Sequence, residues 1–208
     1  FLETFPRSRL ARKSIHQLWK NALLLNQPKI ILKYQQIFPH LSKNPKAIYY
    51  LGLAHESLRN QRQALRHFKR LYYMFPASSE GLLVTEKLEY FRKSFPELEY
   101  KVPQSWQEIR AKKLFKSKQY KEALEAIIVL LQLFPSTKES QKFQLYMGIS
   151  QFHLGMNAGS IKTLQGLRSG SKYEAQAWFY RAENFRRLGD FSSFKVTVES
   201  FQKYYPQS

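Results

Sequence analysis

Six of the nine prolines in this 208-residue chain directly follow an aromatic residue: Phe5-Pro6, Phe38-Pro39, Phe75-Pro76, Phe95-Pro96, Phe134-Pro135 and Tyr205-Pro206. Proline has no N–H to donate and cannot continue a helix, and it turns the residue before it away from helical geometry. Upstream of each ring the apolar residues recur at helical spacing; Tyr120, Ala123, Leu124, Ile127, Leu130, Leu131 and Phe134 are the clearest case. Each pair therefore reads as the end of an amphipathic helix, with the ring placed to close the core.

The stretch from Ala47 to Pro76 carries a more specific pattern. Ile48, Leu51, Gly52, Ala64, Phe68 and Pro76 fall at the offsets of a tetratricopeptide repeat, a helix–turn–helix unit of about 34 residues, which this segment resembles. Gly52 and Ala64 are small where two helices approach closely, and Phe68 fills the groove between them. Asn60 is expected to take the left-handed turn joining the helices. Two positions depart from the pattern: His55 replaces an aromatic and is read as a packed residue, and Leu71 replaces a small one.

Looser copies flank this unit. Ala111 and Ala123 occupy the small sites of a unit ending at Pro135. Tyr146-Met147-Gly148 repeats the large-x-Gly signature, with Leu164 and Leu167 downstream; that unit ends in the Gly- and Ser-rich stretch Gly166–Ser171 instead of a proline. Trp178, Ala182 and Phe185 open a last unit, in which Phe194 stands where Ala is expected, so its hairpin should be splayed. The first unit matches only in rhythm. The expected fold is all-α: a solenoid of about five antiparallel helical hairpins, a TPR-like superhelix forming one domain over 1–208. Its approximate units are 6–41, 45–78, an extra helix 79–103, 104–137, 141–174 and 175–208.

Composition agrees with a packed fold. Hydrophobic residues make up 43% and aromatics 15%, too many for a disordered chain. The longest apolar run, Ala126–Leu131, is far short of the roughly 20 residues of a transmembrane helix, so no transmembrane segment is expected. Phe1 opens the sequence, which reads as a processed chain or a piece of a larger protein. The formal charge is +19, and no acid occurs between Thr4 and His55. At about 100° per residue, Arg9, Arg12, Lys13 and Lys20 share one helical face, and Arg62, Arg66, Lys69 and Arg70 share another. Both stripes lie opposite apolar faces, as solvated faces of amphipathic helices do. They are also the candidate anion-binding residues.

No catalytic, cofactor-binding or metal-binding residue is assigned, and no cofactor is expected. The chain lacks cysteine, which excludes thiol catalysis and cysteine-based zinc sites. Its five histidines lack metal-ligand spacing, and it has no phosphate-binding glycine loop or nucleophile elbow. The chain is read as not an enzyme.

Repeat arrays of this kind bind along an extended concave surface. The repeat's alignment puts Tyr49, Leu53 and Glu56 there, then Glu108, Lys112 and Phe115, Leu145, Ile149 and Phe152, and Phe179, Glu183 and Arg186. Of these, Tyr49, Leu53, Lys112, Phe115, Phe152, Phe179 and Arg186 are the candidate concave-face binding residues. The Lys/Asn clamp of chaperone-type repeats is not reproduced. The segments Arg110–Leu124 and Ala177–Asp190, with second helices ending in Phe-Pro, are similar to the N-terminal superhelical domain of bacterial soluble lytic transglycosylases. That resemblance implies a non-catalytic scaffold in the bacterial periplasm or cell envelope, with peptidoglycan or a cell-envelope protein as partner. The family's catalytic Glu-Ser setting is absent around Glu56-Ser57, Glu139-Ser140 and Glu199-Ser200. Two alternatives stand beside this reading: a protein-assembly adaptor of an envelope complex, and a nucleic-acid-binding helical repeat.

Overall fold

The computed structural model describes residues 9–98 and 101–205, with only the backbone of residues 9, 11–13, 41 and 42. It divides into two compact units, Phe1–Val102 and Pro103–Ser208. The first contains α1 (Arg9–Leu24), α2 (Pro28–Ile37), α3 (Pro45–Ser57), α4 (Gln61–Met74) and α5 (Ser79–Ser94), with short 3-10 turns at Pro39–Lys43 and Pro96–Leu98. The second contains α6 (Gln104–Lys116), α7 (Tyr120–Leu133), α8 (Ser140–His153), α9 (Asn157–Gln165), α10 (Glu174–Leu188) and α11 (Phe191–Tyr204). Among the described residues there is no strand. Helices α1–α2, α3–α4, α6–α7, α8–α9 and α10–α11 pair as hairpins, and α5 packs singly on α3 and α4. The fold is an all-α, TPR-like array of hairpins.

The aromatic-proline pairs end helices as the sequence predicts. Phe38, Phe75, Phe95, Phe134 and Tyr205 are the C-caps of α2, α4, α5, α7 and α11. Each donates its N–H to the carbonyl four residues back and hands the chain on in a non-helical conformation. Phe5-Pro6 and the last proline, Pro206, lie outside the described residues.

All five hairpins turn through the same device. The residue two before the second helix has positive φ: Asn26 (53°), Arg59 (57°), Lys118 (61°), Gly155 (74°) and Gly189 (74°). In each turn two backbone N–H groups reach back to the ending helix. The N–H of Arg59 donates to Glu56 O and that of Asn60 to His55 O, and equivalent pairs occur in the other four turns. This pair of bonds is a Schellman motif, which satisfies carbonyls that a helix end leaves without partners. The left-handed residue is therefore Arg59 and not Asn60. Asn60 instead caps α4, its side chain accepting from Gln63 N at 3.4 Å. Asn suits both positions, which is why the sequence points one residue late; α4 starts too soon for Asn60 to be the turn residue.

Within the hairpins the repeat's small residues are required by packing. The fully buried Phe68 ring occupies the space that a Cβ on Gly52 would need. Gly148 repeats this against Leu164, whose Cδ2 lies 2.5 Å from the ideal Cβ position. Burying a ring such as Phe68 contributes about 1.5–3 kcal/mol. In α1 the position equivalent to Gly52 is taken by Trp19, itself fully buried with Ile15, Ile31 and Phe38. In the last hairpin Phe194 is half-buried, and Thr197 is the one residue of α11 that is buried outright.

One pair of fully buried polar side chains bridges helices inside the second unit. Ser160 stands where Ala64 stands in α4, and its hydroxyl donates to Gly148 O at 2.7 Å. The buried Asn184 donates to Ser160 Oγ at 2.9 Å and to Tyr180 O at 2.6 Å.

Candidate functional site

The positions predicted to face a ligand meet different fates from helix to helix. In α3, Tyr49 and Leu53 pack on the cluster that holds Phe68 and Phe91. Glu56 of the same face receives Lys87 Nζ of α5 at 2.8 and 2.9 Å. In α6, Lys112 pairs with Glu139 at the start of α8 and lies 3.9 Å from Glu108. Glu108 also accepts from Thr137 Oγ1 at 2.7 Å. The Lys112 hydrogen bond, aided by Lys142, holds the Glu139 carboxyl below its ordinary range. Phe115 stacks on Tyr146 of α8, with ring centroids 3.8 Å apart and planes within 8°.

In α8 the same positions are closed over. Leu145, Ile149 and Phe152 are 1%, 2% and 6% exposed. Ala177 and Tyr180 of α10 belong to the cluster that covers Leu145 and Ile149. The Arg187 guanidinium lies 3.5 Å from the centroid of the Phe152 ring and donates to Phe152 O at 2.9 Å. Phe152 is thus an inner residue, not a surface one. In α10 the corresponding Phe179 is 56% exposed, and Glu183 and Arg186 pair with each other at 2.8 Å.

One physical rule accounts for these differences. The three positions lie on the flank of a first helix that turns toward the next helix in the array. Where a next helix is packed within the same unit, they serve as its seat. Among the described residues, Phe179 and Arg186 of α10 are exposed and Glu183 is half-buried, and Phe179 is joined by other exposed apolar residues of the same hairpin, Leu188 and Phe191. The candidate cations Lys112 and Arg186 both carry a carboxylate partner, so this flank offers alternating charge and an exposed ring.

The basic stripes are arranged otherwise. Lys20, Arg62 and Arg66 are exposed, and Lys69 and Arg70 are half-buried on α4. The side chains of Arg9, Arg12 and Lys13 lie outside the described residues. An apolar cavity of about 240 Å³ opens between α4 and α5, with Leu65, Tyr72, Leu88 and Phe91 in its wall and Lys69 and Arg92 at its edges. Behind the stripe, His67 stacks on His55 with centroids 5.4 Å apart. Burial, then His55, Arg70 and Arg66, push the His67 pKa down to about 4. His55 is a packed residue, as its repeat position implied.

Among the described residues no three His, Asp or Glu side chains are grouped to hold a metal ion. No helix there is long and apolar enough to cross a membrane. A group that sequence reasoning did not single out is Lys138, Arg168 and Lys172, gathered around one polar depression.

Against known proteins, the tetratricopeptide repeat profile matches residues 46–78. This is the segment in which Gly52, Ala64 and Phe68 interlock. No curated protein matches the chain in sequence. Among solved structures, it is similar to nearly identical TPR-like repeats from a Podosopora anserina protein named as a putative kinesin light chain. The TM-score is 0.41 at 14% identity, covering 94% of this chain and 97% of that one. The Q17M variant of the same protein gives the same score and identity, with 96% of its chain covered. The repeat match covers one hairpin, α3–α4, and the other hairpins share its helix–turn–helix geometry, so the fold is TPR-like.

Proposed function

We propose that this chain is a non-catalytic scaffold that docks a protein partner, and that its binding surface is the open flank of α10 around Phe179. The observation that carries the reading is the contrast between equivalent positions: Leu145 is sealed beneath α10, and Phe179 is 56% exposed. An exposed ring beside the Glu183–Arg186 pair suits an anchor in a protein interface, where aromatic residues and arginine dominate binding energy. It suits a phosphate backbone less well, because the cations of this flank already have carboxylate partners.

We place the scaffold in the bacterial cell envelope, beside peptidoglycan, as in the superhelical domain of a lytic transglycosylase. The support is the style of the repeats, with second helices ending in Phe-Pro, and a net charge of +19 facing a wall polymer that carries carboxylates.

Affinity capture with the wild-type chain and with Phe179→Ala tests the docking claim. The expected result is one stoichiometric protein that the variant retains at least about tenfold less well, the size of effect typical of a central aromatic anchor. Equal capture by both chains contradicts it. Retention on purified sacculi at low salt tests the envelope claim. Recovery of RNA instead, with a steep dependence on salt, turns the reading to a nucleic-acid-binding repeat.

A further inference from the structure

The α9–α10 linker is the one place where the second unit replaces an aromatic-proline ending with the run Gly166–Ser171. The run is held in a defined shape. Arg168 N donates to Gln141 Oε1 at 2.7 Å, which ties the linker to the start of α8. Gly170, with φ of 75°, donates its N–H to Glu174 Oε2 at 2.6 Å. The linker and the α7–α8 turn together enclose a polar depression of about 430 Å³.

Three cations line it from two separate segments: Lys138 from the α7–α8 turn, and Arg168 and Lys172 from the linker. Among the described residues none of the three has a carboxylate at salt-bridge distance. The nearby acids are already committed. Glu139, in the wall, is paired with Lys112 and Lys142. Glu174 accepts from Gly170 N, from Ser169 Oγ at 3.3 Å and from Trp178 Nε1 at 3.5 Å. Helices α8 and α10 both begin at this edge, where Glu139 and Glu174 already sit at their positive ends. Three cations without a carboxylate partner, Lys172 lying 5.3 Å from the centroid of the Tyr173 ring, thus share one concave wall whose single acid, Glu139, is paired elsewhere. This differs from Arg62, Arg66 and Arg70, which stand in a row along one helix.

We infer that the depression bounded by Lys138, Arg168 and Lys172 is a docking site for an acidic peptide segment of a protein partner, taking two or more carboxylates together. Three cations on two segments around a depression of about 430 Å³ fit carboxylates separated along a chain better than a single small ion. The inference rests on the reading of the chain as a protein scaffold and adds a second, electrostatic contact on another part of the same unit.

The test is fluorescence anisotropy of fluorescein-labelled hexaglutamate with the full chain. Lys138→Ala/Arg168→Ala/Lys172→Ala is expected to weaken binding at least about tenfold, and the charge-matched control Arg62→Ala/Arg66→Ala/Arg70→Ala less than about threefold. Thermal melts at the wild-type temperature establish that both variants fold. Equal losses in the two variants, or no binding by the wild-type chain, overturn the site in favour of diffuse attraction by net charge. Inorganic phosphate is expected to compete no better than chloride at matched ionic strength. Displacement by phosphate alone at millimolar concentration assigns a simple phosphate site and overturns the peptide. If hexaglutamate fails while capture through Phe179 persists, this site falls alone; if capture through Phe179 fails, the scaffold reading falls.

Discussion

The Phe68 ring lies in the space that a side chain on Gly52 would fill. This contact joins α3 to α4 at the centre of the repeat, and Gly148 and Leu164 reproduce it at the same 16-residue separation in α8 and α9. Ala in place of Gly inside a helix gains about 0.5–1 kcal/mol from backbone entropy, yet overpacking a core typically costs about 1–3 kcal/mol. Phe68 is fully buried and has little room to retreat. Gly52→Ala is therefore expected to lose about 1–2 kcal/mol net in urea unfolding, and Gly52→Ala/Phe68→Leu to recover part of it. A stabilised Gly52→Ala, or no coupling in the double-mutant cycle, contradicts the contact.

The turns make an independent prediction about backbone alone. Arg59 and Lys118 hold left-handed conformations that cost an L-residue roughly 1 kcal/mol and glycine little. Arg59→Gly and Lys118→Gly should each raise stability by about 0.5–1 kcal/mol, less the added entropy of glycine in the unfolded chain. Gly155→Ala and Gly189→Ala should lower it by about 1 kcal/mol, although a Cβ at either site meets nothing within 4 Å. Thermal melts of the four variants check the pattern of signs, and a destabilised Lys118→Gly breaks it.

Acid should loosen the first unit through His67. Its pKa is about 4 in the folded chain against an ordinary value of 6.5, so the unfolded chain binds the proton more readily between those values. The contribution is fully present above about pH 6.5 and is lost as pH falls toward 4. Its size is at most about 3.5 kcal/mol, from roughly 1.4 kcal/mol per pKa unit. The groups around it are His55, Arg66 and Arg70, and all of them resist a further positive charge. His67→Gln should flatten the fall in unfolding free energy between pH 6.5 and 4.5. An unchanged slope assigns the acid sensitivity elsewhere.

Ser160 and Asn184, both fully buried, form a polar bridge in the core of the second unit. Ser160→Ala removes one acceptor of the Asn184 amide and is expected to cost about 1–3 kcal/mol, the penalty for stranding a buried polar group. Removing both with Ser160→Ala/Asn184→Ala should cost less than the sum of the single variants. Strict additivity in denaturant melts would show that the two side chains do not act together.

Much of the local structure is readable because single residues dictate it. A ring before proline can only close a helix here, and five such rings do so as C-caps. Gly52, Ala64 and Phe68 announce their hairpin because the steric demand is specific. The surface is harder to read. Tyr49, Lys112, Phe115, Phe152 and Phe179 share the same flank of the repeat, yet whether such a position binds a ligand or seats the next helix depends on which element packs beside it. Lys138, Arg168 and Lys172 escape a sequence reading for a similar reason. They are separated by up to 34 residues and meet only because the linkers before and after the α8–α9 hairpin lie side by side. The one local signal is the missing proline after α9, where a Gly- and Ser-rich run carries a base at Arg168 and another just beyond its end at Lys172.

The most direct measurement of the scaffold claim is photo-crosslinking from a benzoyl-phenylalanine placed at position 179 or at position 145, in the intact protein within its host cell. The two positions are equivalent in the repeat, and Leu145 is sealed where Phe179 is open. The predicted result is one discrete protein adduct from position 179 and none from position 145. Adducts of the same kind from both positions, or nucleic acid in place of protein at position 179, would contradict it.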